Sequence, residues 1–526
     1  MSYNIENLRD VNSLEDMDNY VEKLRVLASN NRDNEEILSL VTIAIQKCEL
    51  IKDQKSLVKL YEIMISQIQH SKENFPTIEN LVLKMKEISE KIEYYNGLAL
   101  AYNVEWYIEK YKGNKQRSRE ALDKSMRFIA LSDTKEYEYY ACNYSFAFEK
   151  WLHNHDDSVE NILEECFNYF LTAGYYRSST FTLGILILIY QKNQKKNKIM
   201  DIIRKILSNR EMYKNLPNEI KSIICYFIGV GSKMSFDLRN SETYLHETQS
   251  ILKHTYRNST YTGYYVRGLA HLTACYALQG KLRLANNQMV KVEKLIEEGI
   301  ATRNLDTFGK KQIEHDFNLT KFYIHSRLQP FQIDQLQDLI QNILNNLDKQ
   351  HSDAIFFSEF LLNGNLSREQ LLKIKNLQNP STRRVEHIIN FLIEKTNNTK
   401  EKQIINLISV LKRRPVEERM TLVERAFADL LAAQEYFKIE RYAEIYPLLR
   451  KYENQLNRIQ VLELRIFMEA FIQIGAFKNG DPMGPALQYV AIRKCQQYGF
   501  SRLENKLLNY LDLQAKDVLK TLKRIN

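Results

Sequence analysis

From Asn96 to Ala130, the apolar positions Leu98, Ala101, Tyr102, Val104 and Ile108 recur at helical spacing. Lys112-Gly113-Asn114 breaks the pattern, and Arg119 to Ile129 resumes it. This predicts a helical hairpin. A second is predicted from Tyr139 to Leu152, through the polar turn His153-Asn154-His155-Asp156-Asp157, to Val159–Leu171 closed by Gly174. In a third, Thr180 to Tyr190 precedes Lys192-Asn193-Gln194 and a helix from Ile199 to Leu207, and further hairpins start near Ile220, Tyr264 and Glu314. One segment repeats itself: Ala101-Tyr102-Asn103 and Lys110 recur as Ala141-Cys142-Asn143 and Lys150. Recurrence at a period of about 20–50 residues marks a solenoid, whose units cannot bury their apolar faces without stacked neighbours.

Two polar stretches interrupt the array, Leu362-Asn363-Gly364-Asn365-Leu366 and Lys395-Thr396-Asn397-Asn398-Thr399. They suggest an N-terminal helical segment over 1–90, a repeat array over 91–350, a helical connection over 351–415 and C-terminal repeats over 416–526. The first 90 residues read as helical but carry no clear repeat match.

Composition agrees with an all-α solenoid of antiparallel helical hairpins. Only 16 Gly and 8 Pro occur in 526 residues, and strand-like alternation bounded by Asn-Gly or Asp-Gly turns is nearly absent. With 44% hydrophobic residues, 32 Tyr and 23 Phe, the chain has enough apolar surface to fold. Its six cysteines lie far apart with no Cys-x-x-Cys pair, so they read as small buried hydrophobes in a reducing compartment. The N-terminus is acidic where a signal peptide needs basic residues, and the longest apolar run, Leu183–Tyr190, is too short to span a bilayer. A cytoplasmic protein without a membrane partner is expected.

Leu272, Tyr276, Gly280 and Ala285 stand at the mutual offsets of the tetratricopeptide (TPR) repeat, with Gly280 turning the chain and Ala285 allowing close helix approach. Ala433, Tyr436 and Tyr442 fit the same template, with Glu440 in the glycine position, while Trp106 and Phe146 loosen the match around Asn103 and Asn143. The chain thus resembles TPR proteins over residues 90–330 and 420–510, with a HEAT-like or other divergent helical repeat as the alternative. The resemblance implies a concave face lined by the first helix of each hairpin, where an Asn amide holds a bound peptide backbone. Asn103, Asn143 and His271 fall near that place, with Lys110 and Lys150 beside them. Tyr137, Tyr140, Tyr144, Phe148 and Trp151 form a stripe at spacings of three and four, expected to be core. The opposite face, with Tyr139, Asn143 and Lys150, is the expected groove.

Charge offers a second reading. Between Gln191 and Lys214, eight basic residues face two acidic ones, and Lys192, Lys195, Lys196, Lys198, Arg204 and Lys205 define a basic patch able to hold nucleic acid or an acidic partner.

Catalytic signals are weak. Gly229-Val230-Gly231-Ser232-Lys233 superficially resembles a phosphate loop but lacks its spacing and reads as a helix end. His153, His155 and the following aspartates read as a solvated turn, and His315-Asp316 point to different sides of a helix. No metal site, cofactor or enzyme activity is expected, although a dispersed site stays open. The expected function is a peptide- or protein-binding scaffold or adaptor, with a peptide-sensing regulator and a nucleic-acid-associated protein as alternatives.

Overall fold

The computed structural model describes residues 13–31, 34–69, 72–154, 156–193, 195–209, 213–214, 216–254, 262–298, 307–328, 367–376, 386–395, 401–412, 421–481 and 484–510. The fold is all-α: helix follows helix and packs on its neighbours, as in a helical repeat, and no strand occurs among the described residues. The chain divides into two compact units, one of residues 1–189 and 211–220, the other of 190–210 and 221–526.

In the first unit the helices are α1 (Leu14–Asn30), α2 (Glu35–Ile51), α3 (Gln54–Ile68), α4 (Phe75–Lys91), α5 (Tyr95–Tyr111), α6 (Lys115–Ala130), α7 (Tyr137–Asn154), α8 (Glu160–Thr172) and α9 (Tyr176–Lys192), which crosses the division. The expected hairpins are α5–α6 and α7–α8, and the same alternation already begins at α1. Local signals start the helices: Ser13 caps α1 through Asp16 N, and Asn34 caps α2 through the amides of Glu36 and Ile37. One apolar stripe per helix then fuses α1 to α5 into a common core containing Met17, Val21, Ala44, Val58, Ile78, Met85 and Leu100.

Four helix-to-helix turns of this unit share one backbone solution. Lys52, Glu93, Gly113 and Gly174 all take positive φ, and the next amide donates to the carbonyl five residues back: Asp53 to Cys48, Tyr94 to Ser89, Asn114 to Glu109 and Tyr175 to Phe170, at 2.8–3.0 Å. This satisfies carbonyls that the ending helix leaves unpaired.

The second unit continues with α10 (Lys196–Ser208), α11 (Asn218–Met234), α12 (Leu238–Leu252), α13 (Thr262–Leu278), α14 (Leu282–Glu297) and α15 (Thr307–Leu328). After α16 (Arg368–Asn376), α17 (Glu386–Lys395) and α18 (Glu401–Lys412) come α19 (Leu422–Lys438), α20 (Ile445–Leu449), α21 (Leu462–Lys478), α22 (Gly484–Tyr498) and α23 (Ser501–Leu508). The same turn recurs at Phe236, Gly280, Glu440, Gly480 and Gly499. Gly229 and Gly231 lie in the last turns of α11, where a Cβ would meet Leu245 at 2.6 Å and Ile199 at 2.8 Å. They are close-packing positions, and Ser241 Oγ donates to the Gly229 carbonyl at 2.7 Å. Arg327 and Glu463, both buried, pair at 2.5 Å. The interruption at 362–366 lies outside the described residues, and α17 ends at Lys395 where the polar run 395–399 begins.

Candidate functional site

The first unit encloses a cleft of about 380 Å³, within the range of about 300–1,000 Å³ typical of ligand sites. Its walls come from alternate helices. Arg25 and Ser29 lie on α1, Glu62, Ile63, Ile65 and Ser66 on α3, Asn103, Trp106 and Tyr107 on α5, Tyr137, Tyr144 and Phe148 on α7, and Ser178 and Phe181 on α9. Among the described lining residues, only Phe170 comes from an even-numbered helix. Helices two apart thus present their inner faces to a common space, the arrangement that gives solenoids a binding surface.

The two ends of the unit close on each other. Asn30 Nδ2 donates to the Gly174 carbonyl at 2.8 Å, Asn30 Oδ1 accepts from the Arg177 amide at 3.2 Å, and Tyr175 OH donates to Glu22 at 3.2 Å. Beside the cleft lies a buried charge network. Arg25, 2% exposed, approaches Glu22 at 3.0 Å, Glu62 at 3.5 Å and Glu138 at 2.9 Å, and lies 4.7 Å from the centroid of the Tyr137 ring. Lys59 reaches both Asp18 and Glu22 at 2.7 Å. Burial opposes the charge on Arg25, but Glu138, Glu22 and Glu62 outweigh it and hold the guanidinium firmly protonated. Burial also works against ionisation of Glu138, yet Arg25 and Lys59 bring its carboxyl below the usual range.

The wall is largely aromatic. Tyr137 lies 4.7 Å from Tyr175 and 6.3 Å from Phe170, while Tyr144 packs on Phe148 at 6.1 Å and Phe170 at 6.4 Å. Two polar atoms on this wall have no hydrogen-bond partner, Asn103 Oδ1 and Trp106 Nε1, both out of solvent. They lie three residues apart on α5, and therefore on one face of it.

Asn103 therefore lines the cleft, whereas Asn143 does not; its Nδ2 donates to the Tyr139 carbonyl of its own helix at 2.8 Å. Lys110 pairs with Glu149 and stands over the rings of Trp106 and Phe148, at 5.1 and 4.9 Å. Lys150 is exposed, over Phe146 at 4.7 Å. His271 belongs to the second unit, on α13. The aromatic stripe on α7 has a double role: it packs on α8, and its members Tyr137, Tyr144 and Phe148 also face the cleft. On the opposite face, Tyr139 packs with Ala99, Ile129 and Cys142. The expected groove face on α7 is thus a packing face. Arg25 and Glu62 were missed because their helices carry no repeat signature.

In the basic stretch, Lys195 and Lys205 are exposed, Lys198 lies 5.4 Å from the Tyr190 ring, and Arg204 pairs with Asp201 at 3.1 Å in solvent. Lys192 and Lys196 lie on α9 and α10, but their side chains are outside the described set, as are those of His153, His155, His315 and Asp316. All six cysteines are buried. No cluster of three metal-ligating side chains occurs among the described residues, and no described helix is long and apolar enough to cross a membrane.

Fold and cleft together define a helical-repeat protein with a ligand-sized inner surface. No protein-family model matches the sequence, and no curated protein matches it.

Proposed function

We propose that this chain is a TPR-like scaffold or adaptor that binds a segment of peptide or protein in the cleft of its first unit. One observation carries this reading: Asn103 and Trp106 line the same aromatic wall, and their acceptor Oδ1 and donor Nε1, screened from solvent in the free protein, have no partner there. Buried polar groups normally find partners, and one acceptor beside one donor is the complement of a peptide group. The surrounding rings supply apolar contact for side chains, with Arg25 and Glu62 as polar contacts. A binding role, rather than a catalytic one, fits a wall of aromatic and amide groups. A peptide-sensing regulator is the more specific form of the same reading, in which the ligand biases the spacing of the hairpins.

The test is selection of peptides from a displayed random library against the full chain, followed by fluorescence anisotropy. Selected peptides should bind Asn103→Ala and Trp106→Phe at least about tenfold more weakly, with circular dichroism unchanged. If no peptide is selected, or if both variants bind as well as wild type, the reading fails.

A further inference from the structure

Among the described residues, the buried cations are paired with carboxylates, with one exception. Arg25 has Glu138, Lys59 has Asp18 and Arg327 has Glu463. Lys233, in the last turn of α11 and 8% exposed, instead places its Nζ 2.9 Å from His271 Nδ1 on α13. Arg267 stands one turn before His271 on the same helix, and its Nε is buried without a partner. Among the described residues neither Lys233 nor Arg267 forms an ion pair with a carboxylate.

Three nitrogen-bearing side chains therefore converge with no counter-charge among the described residues. Burial, Lys233 and Arg267 all hold the His271 imidazole well below its usual pKa, so it is neutral. An ammonium donating to Nδ1 places the ring proton on Nε2, leaving that N–H as a donor. Tyr226, with its ring centroid 6.0 Å from that of His271 and 5.2 Å from that of Tyr264, forms an apolar side to the cluster. A desolvated ammonium beside a guanidinium is unfavourable unless an anion joins them.

We propose that Lys233, Arg267 and His271 form a receptor for the carboxylate or phosphate group of a ligand. Lys233 supplies its remaining N–H groups, Arg267 its guanidinium and His271 its Nε2–H, all of them donors to anionic oxygens. The site lies wholly within the second unit and does not depend on the first-unit cleft.

The experiment follows the His271 Cε1–H resonance in histidine-labelled full-length protein, assigned by its loss in His271→Gln. Sodium phosphate and sodium acetate are titrated separately at neutral pH, against chloride at matched ionic strength. A saturable shift with phosphate alone assigns a phosphoryl ligand, with acetate alone a carboxylate, and with both a site open to either. Arg267→Gln, at a half-buried position, should weaken the response at least about tenfold, the loss of one charge-assisted hydrogen bond. Lys233→Met should do the same, and should melt above wild type without phosphate because it removes an unpaired buried charge. The proposal is overturned if neither anion gives more than the chloride response, or if both variants saturate as wild type does.

Discussion

Arg25 and Glu138, 2% and 0% exposed, meet at 2.9 Å and tie the first helix of the first unit to its seventh. Removing one member of such a pair leaves the other buried and uncompensated, which costs about 3–5 kcal/mol. Glu138→Gln leaves Arg25 with Glu22 and Glu62, whereas Arg25→Met leaves three carboxylates with Lys59. Urea denaturation should therefore show Arg25→Met to be the more destabilised of the two. Equal or smaller loss for Arg25→Met would contradict the network.

The same pair sets an acid limit. The Glu138 carboxyl lies below its usual pKa in the fold, so its contribution is fully present above the unfolded value of about 4.3. It is lost as pH falls through the lower folded value. Asp18, which Lys59 holds down against its own burial, acts in the same direction. The stability gap between wild type and Glu138→Gln should be full at neutral pH and narrow below about pH 4.3. Urea midpoints measured across that range check this, and a gap that stays constant would count against it.

At the turns, Gly113 and Gly280 both have positive φ but different surroundings. A Cβ on Gly113 meets nothing within 4 Å, whereas one on Gly280 would lie 2.4 Å from Leu462 Cδ2. Gly113→Ala should cost about 1 kcal/mol from backbone conformation alone, and Gly280→Ala distinctly more. Conversely, Glu440→Gly relieves a left-handed non-glycine residue and should stabilise by up to about 1 kcal/mol. Thermal melts of the three variants give the order.

The thiols offer a direct check on burial. Desolvation pushes Cys48, Cys142, Cys166 and Cys495 up to about 12 and Cys275 to about 11. Thiolate is the reactive form, so a thiol reagent should label these five positions only on unfolding. Rapid labelling of the native protein at any of them would show a local structure other than this one.

Trp106→Phe separates binding from folding. The indole N–H has no partner in the free protein, so its removal should leave the unfolding free energy within about 1 kcal/mol of wild type while weakening peptide capture. A variant that loses both equally would mark Trp106 as a packing residue.

The hairpins around Gly113, Gly174 and Gly280 were legible because glycine announces the turn. Those beginning at α1 were not, because Lys52 and Glu93 fill the same left-handed position and give no compositional sign. Periodicity placed Tyr137, Tyr144 and Phe148 on one face of α7, but a ring packed on a neighbouring helix and a ring lining a cleft share that spacing. Asn103 and Asn143 look equivalent in the repeat. The difference between them, a lone carbonyl oxygen in a cleft and an amide bonded to its own helix, arises from the environment of each.

Because the cleft walls are helices two apart, a change in the spacing of those helices moves the rings and amides that face it. The Arg25 to Glu138 bond joins two of those helices directly. Any rearrangement that parts α1 from α7 must therefore break a charge pair that is 2% and 0% exposed.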